Sequence, residues 1–382
     1  MSKITYPCLV VDELRKQSGH SLSTLRSEFG ILVGWGKKYP NLVSLSATQQ
    51  SPLEDPLVRQ CHGLVLDMQN RWEPVARPSD WFPTLATEET PLLTNWGDLR
   101  VQRRLDGLRY HLYYYRGEWH VGTLESPDGC IPALMGPKYL TQADLFWEEC
   151  GKHGYELPSV SRWGDWCFIW DLTHPAKRNV VTCKEAELRL VSMRCTNGLE
   201  LDPNKMHWGE AYGFWLTVPE YRFKSFDELV GTFVEMQPTQ QAGYVLVDTI
   251  ANDGEVGFKR LGVNHPGYDR LVALKGKMTI QKALELIRND GVGDLLYHFP
   301  EWTETFGLIK HKYAETVASL QSGWDEIGTL PEPEFNRKAI GYRMNSILFE
   351  KRRNPSKDIK EAMRNYPLHP LLWGLRLRDA DI

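Results

Sequence analysis

The chain has 382 residues, 42% of them hydrophobic and 25% charged, with a formal net charge of −4 at pH 7. That length excludes a single small core and suits roughly two domains. The slightly acidic balance excludes a global basic field, so any contact with nucleic acid must come from a local patch.

In chain order, residues 9–30 are expected to be helical, with Val10, Leu14, Leu22 and Leu25 set among polar residues. From about residue 31 to 260 the pattern changes to short apolar or alternating runs: ILVGW, NLVSLSA, GLVLDM, YHLYYY, WHVGTL, WCFIWDL, NVVTC, LRLVSM, GYVLVD and EVGFK. Bounded by Gly, Pro, Asn and Asp, these predict strands. Helical stretches interrupt them at 141–153 and 224–236. This part therefore predicts an α+β fold with antiparallel sheets. After Pro266 the strand pattern stops, and segments such as TETFGLIKHKYAETVASLQSGWDEIG carry helical periodicity with polar faces. A boundary is placed near residue 263, with 264–382 as an all-helical C-terminal domain.

The seven cysteines, at 8, 61, 130, 150, 167, 183 and 195, form no C-x-x-C pair and are odd in number, as expected for reduced thiols. The start, MSKITYPCLVVDELRKQSG, has acidic residues and no long apolar core, and no run of about 18 apolar residues occurs. The expectation is a cytoplasmic protein with no signal peptide, no membrane span and no membrane partner.

Polar residues gather at the ends of the expected strands: CHGLVLD at 61–67, WEPVARPSDWF at 72–82, RLDG at 104–107, FIWDL at 168–172 followed by HPAKR, AGYVLV at 242–247, and GFKR at 257–260. This order resembles the covalent nucleotidyltransferase superfamily of ATP-dependent nucleic-acid ligases and mRNA capping enzymes. It resembles more closely the bacteriophage RNA ligase family that reseals cleaved tRNA. The resemblance implies an antiparallel-sheet nucleotidyltransferase domain (ATP-grasp-like ligase) over 1–263 and the family's helical domain over 264–382. It also implies a lysine nucleophile that attacks the α-phosphorus of ATP, passes AMP to an RNA 5′-phosphate and lets a 3′-hydroxyl displace it. ATP and Mg would be the cofactors of an active enzyme; with the motifs altered, none is assigned with certainty.

The nucleophile position holds Arg104. A lysine can be tuned to lose its proton near neutral pH, whereas a guanidinium stays charged, with a pKa above about 12. Arg104 can hold a phosphate but cannot attack one. Other positions the resemblance marks are altered as well: His62 for an arginine, Asp80 or Trp81 for a lysine, Asp171 for a glutamate, Ala242 for a metal-linked glutamate, and Phe258-Lys259-Arg260-Leu261 for Lys-x-Lys. Adjacent strand residues face opposite sides, so only one of Lys259 and Arg260 can point inward.

The candidate nucleotide-binding set is Arg104, Asp106, Gly107, His62, Asp171 and Lys259, with no metal site assigned. Alternatives stand beside each. Arg104 could instead pair with Asp106 or Asp171. Asp106-Gly107 could be a structural turn. Asp171 could pair with Lys177 or Arg178. His62 is a substitute nucleophile or a hydrogen-bonded structural histidine. Lys177 and Arg178, and in the tail Lys351, Arg352, Arg353, Lys357, Lys360 and Arg364, are candidate RNA backbone contacts or solvated charge. Among Tyr113, Tyr114 and Tyr115 one face is expected in the core, with base stacking as the other reading. The functional expectation is a catalytically degenerate RNA-ligase-like protein that binds RNA ends, tRNA or a nucleotide, or partners an active enzyme. The alternatives are a ligase or nucleotidyltransferase with a shifted nucleophile, His62 or Lys259, and a protein-interaction scaffold.

Overall fold

The computed structural model describes residues 6–16, 21–48, 50–85, 96–133, 141–205, 215–252, 255–276 and 278–378. The chain divides into two units, Met1–Arg270 and Leu271–Ile382.

The first unit is α+β and carries three sheets. The first sheet runs, in spatial order, Leu32–Trp35, Leu42–Ser46, His62–Asp67 and Glu73–Ala76. The second runs Glu200–Leu201, Glu187–Cys195, Trp166–Thr173, Leu108–Tyr115 and Glu118–Thr123. The third runs Glu220–Tyr221, Arg100–Arg103, Gly243–Asn252, Glu255–Asn264 and Thr84–Leu85. Every pairing is antiparallel except the last, where Thr84–Leu85 lies parallel to its neighbour.

Each sheet buries an apolar face. Leu45, Leu64 and Leu66 of the first pack with Val10, Leu25 and Val58 from the short helices Leu9–Arg15, Leu22–Glu28 and Pro56–Gln60. Tyr110, Leu112, Phe168 and Trp170 of the second pack on Leu145 and Phe146 of the helix Gln142–Lys152. That helix starts on a reciprocal cap between Thr141 and Asp144, which satisfies two orphan donors. Leu42, Val65 and Ala76 from the first sheet meet Tyr113, Cys167 and Ile169 from the second, so residues 109, 111 and 113 face the first sheet while 110 and 112 face the helix. Tyr113 is buried and its hydroxyl donates to the Pro127 carbonyl, while Tyr115 donates to Asp67 at 2.8 Å. Their hydroxyls are committed inside the fold.

Two expectations need correction. Residues 9–30 form two short helices rather than one, the second capped by Ser21. NVVTC is not a strand, because Val180 and Val181 give their amides to the Asp106 carboxylate instead of a ladder.

The second unit is helical throughout its described length, from Ile280–Arg288 through the 25-residue helix Thr303–Ile327 to Leu368–Leu375. Among the described residues no helix is long and apolar enough to cross a membrane.

Candidate functional site

Strand ends from all three sheets of the first unit enclose a cavity of about 290 Å³. Its walls include His62 and Ser79 from the first sheet and its exit, Arg109 and Asp171 from the second, and Arg103, Arg104 and Arg260 from the third. Trp81 and Phe82 supply aromatic surface. The volume lies at the lower end of ligand pockets, roughly 300–1,000 Å³.

Arg109 stands directly opposite Asp171 on neighbouring antiparallel strands. Its Nε and Nη2 donate to Oδ1 and Oδ2, each at 2.8 Å. This fork is the strong form of the ion pair. Burial works to lower the Arg109 pKa, but the Asp171 carboxylate outweighs it and the net shift is upward. Asp171 is therefore held by Arg109, not by Lys177, Arg178 or Arg104. Sequence reasoning missed Arg109, although its place two residues before buried His111 on an alternating strand marks the inward face.

Arg104 lines the cavity and donates from Nη1 to the Thr84 hydroxyl at 3.0 Å. Burial is the main force lowering its pKa; Tyr268, Asp269 and Asp106 oppose it and Arg109 adds to it. Neither Asp106 nor Asp171 pairs with it. A Cβ at Gly262 would sit 2.6 Å from Arg104 Nη1, so that glycine leaves room for the guanidinium. Arg103 also lines the cavity and donates to the Gln240 carbonyl at 3.0 Å. Among the described residues no carboxylate forms an ion pair with either arginine.

Asp106 is structural. Its Oδ1 accepts from Asn179 at 2.9 Å and Tyr268 at 2.6 Å, and its Oδ2 from the amides of Val180 and Val181 at 2.7 Å each. Gly107 lines the cavity where a Cβ would fall 2.4 Å from the Leu172 carbonyl oxygen, so only glycine lets the two strands approach this closely.

The last strand settles the register that the sequence left open. Arg260 lines the cavity and pairs with Glu200 at 2.9 Å, whereas Lys259 is exposed and is not among the lining residues. Lys259 is thus not part of the cavity as expected. The same pairing continues inward: buried Arg194 donates to Asp80 at 2.5 Å and to the Pro78 carbonyl at 2.9 Å. Asp80 is held there, and its neighbour Trp81 supplies the lining surface.

His62 lines the cavity with Nδ1 3.2 Å from the Ser79 carbonyl oxygen. A carbonyl only accepts, so Nδ1 carries the proton and Nε2 the lone pair. Burial, aided by the charge of Arg109, lowers the His62 pKa to about 4, so the ring is neutral at pH 7. Gly63 follows at φ +86°, and a Cβ there would stand 2.0 Å from Cε1 of the buried His111.

The carboxylates suit a divalent cation poorly. Asp171 is forked to Arg109, Asp106 has both oxygens filled, and Ala242 is fully buried. Among the described residues no group of three or more His, Cys, Asp or Glu is placed to hold a metal ion. A magnesium-bound nucleotide does not fit this donor set, in which the lining charge is almost wholly cationic.

Lys177 and Arg178 are not among the lining residues, and Arg178 Nε donates to the Val180 carbonyl at 2.9 Å. In the helical unit, Arg352 donates to the carbonyls of Gly328 and Leu330 and lies over the Phe335 ring. Lys357 pairs with Glu350, and Lys351 donates to the Lys357 carbonyl at 2.7 Å. These three basic residues hold the helices together, while Arg353, Lys360 and Arg364 are exposed.

No family model matches the chain. Two solved forms of an archaeal ATP-dependent RNA ligase align with it at TM-scores of 0.42 and 0.40. Identity is 10% and 11%, with 97% and 96% of this chain and 82% and 80% of theirs covered. A putative ATP-dependent DNA ligase from Aquifex aeolicus aligns at a TM-score of 0.36 and 8% identity, covering 93% of this chain and 77% of that one. In sequence, the RNA ligase of Rhodothermus phage RM378 is 24% identical over 384 aligned positions, covering 84% of this chain and 81% of that protein. This sequence relationship makes the chain a homologue of a bacteriophage RNA ligase.

Proposed function

We propose that the first unit is an RNA-ligase-like module that binds a nucleotide or a phosphorylated RNA end in the arginine-lined cavity and forms no covalent adenylate. The observation that carries this reading is Arg104. By motif order it stands at the position that the resemblance gives to the nucleophilic lysine; among the described residues its side chain donates only to a hydroxyl, and it presents a charged group that binds phosphate but cannot attack it. Arg103 adds a second guanidinium that has no carboxylate partner among the described residues, and the indole of Trp81 supplies aromatic surface for a base. Lys177, Arg178 and Arg353 remain candidates for further phosphate contacts, and an active ligase partner would supply the missing chemistry.

Isothermal titration of the full chain with AMP, ATP and a 5′-phosphorylated oligoribonucleotide tests this. Binding is expected, and Arg104→Ala is expected to weaken it about 10- to 100-fold, the size of one charge-assisted hydrogen-bond set. Binding that is absent, or indifferent to Arg104→Ala, overturns the reading.

A second reading rests on His62, whose unprotonated Nε2 belongs to a cavity-lining ring. Nucleotidyl transfer through this nitrogen requires a covalent product that His62→Ala abolishes.

A further inference from the structure

The helical unit carries a cavity of its own, about 880 Å³, lined by none of the basic residues that the sequence suggested between 351 and 364. Its lining includes Arg343, Arg376, Arg378, Tyr366 and Trp373 and, among the described residues, no aspartate or glutamate. Trp373 is 84% exposed although its helix, Leu368–Leu375, buries Leu371, Leu372 and Leu375. The helix thus turns three leucines into the core and leaves a flat indole in water among guanidiniums. The wall is built rather than accidental. A Cβ at Gly374 would lie 2.6 Å from the Met344 side chain, and Met344 and Arg376 both adopt left-handed backbone conformations at φ 55° and 54°. The Tyr366 hydroxyl is fixed to the Ser346 hydroxyl at 2.6 Å, which orients that ring. Arg343 and Arg376 have no side-chain partner among the described residues and are exposed.

We propose that this groove is a binding site for single-stranded RNA, with a base stacked on Trp373 and phosphates held by Arg343 and Arg376. Exposed aromatic surface beside Arg343 and Arg376, which have no carboxylate partner among the described residues, matches the stacking platform and electrostatic track of single-strand binders. A duplex hides its base faces, so it satisfies only the arginines. The choice of RNA over DNA rests on the reading given above for the first cavity; the site itself does not involve that cavity.

The test is fluorescence anisotropy of the full chain with a labelled single-stranded RNA of about 12 nucleotides that carries a 5′-hydroxyl and so offers the first cavity no terminal phosphate. Trp373→Ala is expected to weaken binding by roughly 10- to 100-fold, and Trp373→Phe by much less. Arg343→Ala with Arg376→Ala is expected to flatten the logarithmic salt dependence by about 1.4, the loss of two phosphate contacts on a single strand. Trp373 is exposed, so circular dichroism of its variants should match the parent. Nucleotide titration of the first cavity should be unchanged in all of them, whereas Arg104→Ala should affect that titration and not the groove. RNA affinity indifferent to Trp373→Ala overturns the proposal. So does tighter binding of single-stranded DNA, of duplex RNA or of polyglutamate, which would mark the groove as a DNA, duplex or acidic-protein site.

Discussion

Replacing Asp171 by asparagine keeps the shape of the side chain and removes its charge. The Asp171 side chain is 6% exposed and that of Arg109 is 22% exposed, and two bonds of 2.8 Å join them. Breaking a buried pair from one side typically costs about 3–5 kcal/mol, because the remaining charge stays desolvated. Arg109 keeps some contact with the cavity, so the lower end applies, about 3 kcal/mol. Asparagine also leaves Arg109 as another unbalanced guanidinium on the cavity wall, next to Arg104. Urea denaturation followed by tryptophan fluorescence should show the loss as a lower midpoint with an unchanged slope. Adding inorganic phosphate should then raise the midpoint of Asp171→Asn more than that of the parent, since an anion that binds only the folded state stabilises it by mass action. A loss below about 1 kcal/mol would refute the claim that this pair is a buried structural fork. Phosphate that stabilises the parent more than the variant would refute the claim that the wall is short of negative charge.

Gly63→Ala is expected to lower stability by at least about 2 kcal/mol, because φ is positive there and the methyl would collide with the His111 ring; thermal melts of the variant check this. His62 gives an acid limb. Its folded pKa of about 4 lies below the ordinary 6.5, so between those values the unfolded chain holds the extra proton. Stability should then fall as pH drops from 6.5 towards 4, by at most roughly 3 kcal/mol in total. His62→Gln should make that slope shallower without abolishing it, since His111 is shifted in the same direction; urea midpoints at several pH values measure it. Arg352→Ala is expected to cost the helical unit roughly 2 kcal/mol through its lost carbonyl bonds, while RNA affinity stays unchanged in the same anisotropy assay.

Much of the fold was legible because the strands are apolar runs with clear stops. The alternation in YHLYYY separates the two packed faces of one strand, and the change to helical periodicity after Pro266 marks the all-α region. NVVTC was misread because strand propensity does not reveal that a distant carboxylate, Asp106, takes its amides. At the site, Arg104, His62, Gly107 and Asp171 were found from motif order, and they do line one cavity. What the sequence left open was pairing. Whether Lys259 or Arg260 faces inward depends on strand register, and Asp171 meets Arg109 only through a cross-strand partner 62 positions away. The tail shows the opposite limit: a dense basic run reads as an RNA contact, yet Arg352 and Lys357 are held by carbonyls and Glu350. The groove around Trp373 has no local signal, since its arginines come from either side of two helices.

The central claim is that phosphate is held at Arg104 without bond formation. Incubation of the full chain with magnesium and ATP labelled at the α-phosphate, followed by denaturing electrophoresis, measures this directly. No labelled protein band should form with the parent chain, and none with Arg104→Lys, because the restored amine still lacks carboxylates to hold the metal. A band in the parent that survives denaturation would contradict the claim, and its loss in His62→Ala would identify the nitrogen that attacks.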